Sequence, residues 1–256
     1  MGFIQSQTHN PQLILSPPFM SLFSKNSLSF FDHLDELRSR LIKIFLCIFV
    51  AAVVAYQFID QILFNLIHPV GHLIFTSPAE AFTTRFALTL WAGVFLSSPL
   101  IVYHIWKFVA CGLKEHEHKY IIFYGPLSLI FFLMGAFFAY FLIIPISITF
   151  LLSFSSDLLV PMITVKSYIS FVGTLILSFG VIFELPLVLM FLARIGIATP
   201  AFLEQKRSHA IVLILIVSAI LTPPDLITLF LMAAPLVILY EIGIIVVKMT
   251  YRPKMT

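Results

Sequence analysis

Six apolar blocks, separated by short charged or proline-containing segments, dominate this chain of 256 residues. Most of the blocks approach or exceed the roughly 20 apolar residues that a helix needs to cross the hydrocarbon of a bilayer. Apolar and polar residues do not alternate within them, which argues against the strands of a membrane β-barrel. The blocks cover about residues 41–59, 86–109, 121–152, 168–193, 210–221 and 226–247.

The composition also indicates that the chain is embedded in a lipid bilayer. Hydrophobic residues make up 60% of the chain and charged residues only 11%, whereas soluble domains are about half apolar and a quarter charged. We therefore predict an all-α polytopic membrane protein with six transmembrane helices in one domain. The fifth block is the short one, spanning only roughly 20 Å as a helix, so it is either a half-helix or a span that thins the bilayer locally.

Lysine and arginine residues gather on one side of the six-helix arrangement. Cytoplasmic loops carry an excess of these residues, so both termini are predicted to be cytoplasmic. On the opposite side only Arg85 and Lys166 are basic, and that side also carries acids, Glu80 among them. The predicted cytoplasmic cations are Lys25, Arg38, Arg40, Lys43, Lys107, Lys114, Lys119, Arg194, Lys206, Arg207, Lys248, Arg252 and Lys254.

The apolar patterning begins only after about residue 30. Pro17 and Pro18 break the single short apolar run before it, and basic residues are missing from the start, so this segment is not a secretory signal. We predict a disordered cytoplasmic tail over residues 1–30. The six-helix transmembrane domain is expected over residues 31–250, followed by a cytoplasmic tail over residues 251–256.

One acidic residue, Glu184, interrupts the fourth apolar block, two residues before Pro186. An ionised carboxylate facing lipid at this depth costs several kcal/mol, so Glu184 is expected to face the bundle interior or a hydrated cavity. Pro186 frees a backbone carbonyl nearby and makes the region a polar pocket. A functional role is the main interpretation, and a structural hydrogen bond between helices is the alternative.

Two predicted cytoplasmic segments concentrate charge. FFDHLDELRSRL, residues 30–41, reads as an amphipathic helix leading into the first span, with acids early and bases late. LKEHEHKY, residues 113–120, reads as a solvated loop, because it lacks the HExxH spacing of a zinc site. GxSxG and Walker A motifs are also missing from the sequence, so no enzyme, catalytic residue, metal site or cofactor is predicted.

Four stretches together resemble one family, TatC, the polytopic core of the twin-arginine (Sec-independent) protein translocase. They are HLDELRSRL (residues 33–41), SPLIVYHIWKFVACGLKEHE (98–117), FELPLVLMFLARIGI (183–197) and ILTPPD (220–225). The resemblance covers about residues 31–248 and implies six helices in a concave, glove-like bundle with cytoplasmic termini. Where this chain has Cys111, the family usually has proline.

The resemblance implies a site that recognises the twin-arginine motif of signal peptides. Carboxylates accept guanidinium groups through paired, charge-assisted hydrogen bonds, so two arginines in tandem need two acceptors. In the loop, Glu115 remains an alternative to Glu117 as one of these acceptors. The implied signal-peptide residues are Glu36, Arg38, Phe108 and Glu117.

The resemblance also implies an intramembrane site at Glu184 and Pro186 that meets single-span partners similar to TatA and TatB. Pro99, Pro223 and Asp225 correspond to structural or functional loop positions. The implied function is export of folded proteins across the bacterial cytoplasmic (inner) membrane, in an oligomeric complex and with the proton-motive force as the energy source. A thylakoid membrane stays open. The alternative function is a proton- or ion-coupled transporter of small solutes, with Glu184 as the ion site.

Overall fold

Long helices form almost all of the protein in the computed structural model, which describes residues 20–67, 70, 73–111, 118–155, 161–222 and 225–250. A π-helical turn, Ala139–Ile143, joins α4 to α5. The α-helices in these ranges are α1 (Met20–Tyr56), α2 (Ile59–Ile67), α3 (Pro78–Cys111), α4 (His118–Phe138), α5 (Ile144–Leu152), α6 (Val165–Phe183), α7 (Leu185–Arg194), α8 (Pro200–Gln205), α9 (Arg207–Leu221) and α10 (Leu226–Thr250).

Five helical stretches in the described part of the chain are long and apolar enough to cross a membrane. The remaining predicted span, the short fifth block, corresponds to α9, whose 15 residues reach about 22 Å as an α-helix. The prediction of an all-α polytopic membrane protein is therefore confirmed, and the six-helix arrangement is compatible with five long spans and one short one. The five are His33–Tyr56, Pro78–Ala110, Phe123–Leu152, Val165–Arg194 and Leu226–Thr250.

The first helix starts earlier than the boundary predicted at residue 31. α1 begins at Met20, so the predicted tail of residues 1–30 overlaps its first turns. No proline follows Pro18 in this stretch to interrupt the helix. Residues 1–19 and 251–256 lie outside the described residues.

Prolines mark the places where two of the long spans change course. The π-helical turn lies directly before Pro145, which occupies the first turn of α5. Glu184 separates α6 from α7, and Pro186 follows in the first turn of α7. Proline has no N–H to donate to the preceding turn, so a wider turn or a break there is expected. Glu184 thus stands at a bend inside a span.

The two ends of the bundle are held by different contacts. At the end that we call the amino-terminal end, around His33, Phe108 and Tyr240, the Tyr240 hydroxyl donates to the Leu203 carbonyl over 2.9 Å. At the other end, which we call the opposite end, Ile74 forms a short parallel bridge with Thr164. These contacts connect loops to the spans at each end.

At the opposite end the carboxylate of Glu80 joins the starts of α3 and α6. Oε2 accepts the backbone N–H of Thr76 over 2.8 Å and the Thr76 hydroxyl over 2.6 Å. Oε1 accepts the backbone N–H of Lys166 over 3.3 Å. Thr76 lies just before α3, and Lys166 lies in the first turn of α6, whose N–H groups have no intrahelical partners. One carboxylate therefore connects the segment before α3 to the start of α6.

Candidate functional site

At the amino-terminal end, α1 lies along α3. The imidazole of His33 stacks on the ring of Phe108, with ring centroids 4.6 Å apart and an interplanar angle of 26°. The helices approach closely further along, because a Cβ added at Gly93 would lie 2.8 Å from the Cβ of Ala52. The small pair permits the close packing that brings the predicted residue Phe108 to α1.

Glu36 follows His33 by three residues and therefore lies on the same side of α1. It forms an ion pair with Arg40, one turn further along the helix. Arg40 is only 7% exposed, and its Nε is buried without a hydrogen-bond partner among the residues that the structure describes. Arg38, which the sequence placed in the same site, is exposed. The structure thus brings Glu36 next to the His33–Phe108 pair, and it adds Arg40 as the resident guanidinium partner of Glu36.

From the sequence, Arg40 is predicted only as one of the cations that flank the first span. Its i,i+4 spacing from Glu36 was a signal that could have identified the pair. Its burial could not have been read from the sequence, because it results from the packing of α1 within the fold. Glu115 and Glu117 lie outside the described residues, so the structure does not place the predicted loop acceptor.

A buried aromatic cluster connects three spans at the same end of the bundle. The ring of Trp106 lies 5.3 Å from that of Tyr124 and 5.2 Å from that of Phe191, between centroids. Tyr124 and Phe191 are 5.7 Å apart, and Leu187 completes the buried group. Edge-to-face and stacked aromatic pairs add to the stability gained from burial. The cluster therefore holds the ends of α3, α4 and α7 together.

The intramembrane Glu184 lies one turn before Leu187 of this cluster. Its side chain is half-buried, and the Ser128 hydroxyl of α4 lies within hydrogen-bonding reach of its carboxyl group. Oε1 is buried and has no hydrogen-bond partner among the described residues. A buried carboxyl oxygen without a partner is costly, so this position suits a donor from outside the chain.

Pro186 is buried, and it packs against α10. A Cβ added at Gly243 would lie 3.4 Å from the Cα of Pro186 and 2.7 Å from Cδ1 of Leu189. The start of α7, directly after Glu184, thus packs against Gly243 of the neighbouring span. The pair Glu184 and Pro186, predicted as one polar site, divides into a carboxyl directed towards α4 and a proline packed on α10.

The predicted loop positions have separate roles. Asp225 is the N-cap of α10, since Oδ1 accepts the backbone N–H of Thr228 over 2.7 Å and Oδ2 accepts its hydroxyl over 2.5 Å. N-capping residues stabilise a helix by about 1 kcal/mol. Pro99 was predicted at a loop position, but it lies inside α3 and is exposed. Pro223 lies outside the described residues.

Two ion pairs tie the α8–α9 region to α10. Glu204 pairs with Lys248, and Nη2 of Arg207 lies 2.8 Å from Oε2 of Glu241. A hydrogen bond from the Lys248 ammonium, with its charge, holds the pKa of the Glu204 carboxyl below its usual value of 4.5. Among the residues that the structure describes, no group of three or more His, Cys, Asp or Glu side chains is arranged to hold a metal ion.

Comparisons with known proteins agree with this architecture. The model of the family described as TatC, Sec-independent protein translocase protein, matches residues 32–235. The Sec-independent protein translocase protein TatC of Carboxydothermus hydrogenoformans is 40% identical over 232 residues, which cover 89% of this chain and 95% of that protein. TatCy of Bacillus subtilis is 35% identical over 241 residues, covering 91% and 94% of the two chains.

A solved structure shows the same fold. The crystal structure of a twin-arginine translocase receptor, TatC, superposes with a TM-score of 0.79 at 36% identity, and the match covers 86% of this chain and all of that one. The family match extends over most of the chain, and relatives this similar align along nearly all of it. This chain therefore belongs to the TatC family of Sec-independent protein translocase proteins.

Proposed function

We propose that this protein is the core receptor and translocase subunit that recognises twin-arginine signal peptides at the amino-terminal end of its bundle. The observation that carries the proposal is the position of Glu36 one turn from the His33–Phe108 stack. A carboxylate beside an aromatic surface suits a peptide that presents arginine followed by apolar residues. The name of the crystallised TatC receptor supports this assignment.

In this proposal each residue has a separate role. Glu36 accepts one guanidinium of the signal, in exchange with or alongside Arg40, which already pairs with it. A loop carboxylate, Glu117 or its alternative Glu115, accepts the second arginine. Phe108 offers apolar and aromatic surface, and the exposed Arg38 favours acidic groups over further cations. Two acceptors are required because lysines cannot form the planar, two-pronged contacts of guanidinium groups.

Glu184 is proposed to meet polar groups of single-span partners similar to TatA and TatB. Its Oε1 has no hydrogen-bond partner in the part of the chain that the structure describes, and a donor on a partner helix would remove the cost of leaving this oxygen unpaired. The complex would lie in a bacterial cytoplasmic membrane with both termini in the cytoplasm, as the distribution of Lys and Arg favours. Transport of folded proteins would draw on the proton-motive force, with no nucleotide site required.

The test is photocrosslinking of a signal peptide to the full chain in membranes, with the natural arginine pair or with two lysines. Wild type is compared with Glu36→Gln, Glu117→Ala and Glu241→Gln, the last being a matched control in an exposed ion pair on α10. We expect a crosslink that requires the arginine pair and weakens about tenfold or more in the first two variants only. A crosslink that ignores both the lysine change and these variants would refute the receptor proposal.

A further inference from the structure

A second feature of the fold lies towards the opposite end of the bundle. An apolar cavity of about 600 Å³ opens between the end of α1, α2, α3, α6 and the α4–α5 junction. Its inner wall is buried, with Leu88, Ile169 and Val172 at most 4% exposed. Its rim is exposed, with Phe58 and Phe141 more than half accessible. The cavity is thus an open cleft in the surface of the spans.

Small residues explain why this space exists. Ala55, Ala92 and Ala136 line it, one each on α1, α3 and α4. Gly173 on α6 accommodates the indole of Trp91, because a Cβ there would lie 2.7 Å from the indole Nε1. The indole therefore lies flat against α6, and the alanines leave the remaining volume unfilled. A volume of this size lies within the range of about 300–1,000 Å³ that is typical of ligand sites.

The chemistry of the walls selects the occupant. Among the described residues, no charged side chain lines the cleft, so water inside it would lack the two to four polar partners that ordered water needs. A partner helix is too large for the 600 Å³ available, since ten residues of a helix about 10 Å across occupy roughly 1,200 Å³. One flexible hydrocarbon chain matches the smaller volume and the apolar walls.

Charge at the margin of the cleft indicates what this hydrocarbon is attached to. Arg85 lies three residues before the wall residue Leu88, and Lys166 lies three residues before Ile169, so each is one turn closer to the opposite end. Nη2 of Arg85 lies 2.7 Å from Oδ1 of Asp60, yet half of the Arg85 side chain remains exposed. Two cations above an apolar cleft complement a phosphate with an acyl chain below it.

We propose that this cleft is a phospholipid site, in which one acyl chain fills the cavity and the phosphate binds Arg85 and Lys166. A lipid held there completes the packing between α2 and the surrounding spans, where protein side chains leave the space unfilled. The site is independent of the signal-peptide site, since its residues lie at the other end of the spans.

The test uses the full chain reconstituted into vesicles of phosphatidylethanolamine and phosphatidylglycerol. The phosphatidylglycerol carries a photoactivatable group near the end of one acyl chain, and crosslinked peptides are mapped by mass spectrometry. We expect crosslinks concentrated on the cleft residues of α3 and α6 in wild type. Ala92→Phe, which fills the cleft, should reduce them strongly, while Ala234→Phe, on an exposed position of α10, should leave them unchanged.

A second measurement tests the phosphate contacts without changing the cavity. Arg85→Gln and Lys166→Gln should each lower crosslinking about fivefold, the effect typical of one basic residue near a charged headgroup. Lys206→Gln, an exposed cation near the other end, is the matched control. Crosslinks spread evenly over the lipid-facing surface, or lost from the cleft when a twin-arginine peptide is added, would overturn the proposal. In the latter case the cleft would belong to the peptide.

Discussion

Gly135 of α4 lies so close to α6 that a Cβ built on it would come within 2.3 Å of the Phe179 carbonyl oxygen. The same Cβ would lie 2.8 Å from Cβ and Cγ of Phe183. On α6, Gly180 leaves room for the ring of Phe132. A Cβ built on Gly180 would lie 2.7 Å from Cε2 of Phe132. The two helices thus use a glycine each to approach, as spans do when lipid provides no hydrophobic driving force.

Gly135→Ala should therefore destabilise the protein. The obstacle is a backbone carbonyl, which cannot move without shifting α6, so the cost should be at least the 1–3 kcal/mol that is typical of overpacking. Gly125→Ala is the matched control, since nothing lies within 4 Å of its hypothetical Cβ. Only the helix propensity of the residue and its position before Pro126 are altered, so the free energy of unfolding should change by at most about 1 kcal/mol.

The measurement is thermal unfolding in mild detergent, followed by tryptophan fluorescence. A melting temperature for Gly135→Ala equal to that of Gly125→Ala would contradict the close approach of α4 and α6.

The carboxylate of Glu80 offers a test of the opposite end. In Glu80→Gln one acceptor oxygen becomes an NH₂ group, which cannot accept the N–H of Thr76 or of Lys166. The remaining carbonyl oxygen can still accept one of these two N–H groups. We therefore expect hydrogen exchange to accelerate about tenfold at whichever amide, Thr76 or Lys166, faces the NH₂ group, which corresponds to the loss of one hydrogen bond to a charged acceptor. Exchange mass spectrometry resolves the two segments.

Glu241→Gln is the control for this experiment, because it removes a carboxylate from an exposed ion pair with Arg207. Exposed pairs contribute little, so exchange at Thr76 and Lys166 should be unaffected. Unchanged exchange in Glu80→Gln would mean that the bridge between Ile74 and Thr164 holds this end without the carboxylate.

The spans were predictable because hydrocarbon imposes a length and a composition on any segment that crosses it. The break between α6 and α7 at Glu184 has a local cause as well, since Pro186 cannot continue the hydrogen-bond pattern of the preceding turn. The role of Glu80 could not be foreseen, because its partner Lys166 lies 86 positions away along the chain. Contacts of this kind depend on how helices are arranged, which local patterns do not encode.

In the candidate site, too, some features could be predicted from the sequence and others depend on how the helices are arranged. Glu36 and Phe108 were identified from a resemblance in sequence, and the structure brings them near each other through His33. The burial of Arg40 and the cluster of Trp106 with Tyr124 and Phe191 were missed, because each requires two or more spans to meet. α2 was also missed, since its nine residues lie in a segment of mixed composition.

The stack between His33 and Phe108 should couple the two residues energetically. His33→Ala and Phe108→Ala each remove the same contact, so the double variant should be less impaired than the sum of the single effects. Aromatic pairs contribute about 0.5–1.5 kcal/mol beyond burial, which sets the expected coupling energy. The measurement is a double-mutant cycle on thermal unfolding, repeated for crosslinking of the signal peptide.

Phe82→Ala, an exposed position of α3 towards the opposite end, is the control for the loss of an aromatic ring. When Phe82→Ala is combined with His33→Ala, the loss of stability should equal the sum of the two single losses. Additive effects for His33→Ala with Phe108→Ala would show that the ring contact does not hold α1 on α3.

The ion pair between Glu204 and Lys248 should make stability depend on pH. Lys248 lowers the pKa of the Glu204 carboxyl in the folded protein below 4.5. A carboxyl with a lowered pKa stabilises the fold above its ordinary pKa, and this contribution is lost as pH falls through the lowered value. Wild type should therefore melt above Glu204→Gln at neutral pH, and the two curves should converge well below pH 4.5. The pair is exposed, so added salt should reduce the difference in melting temperature at neutral pH.

The double variant Glu204→Gln with Lys248→Gln should melt at the same temperature as Glu204→Gln alone, since the attraction between the two charges is already lost. A gap of constant size at every pH would instead assign the effect of Glu204→Gln to packing of α8 and not to its charge.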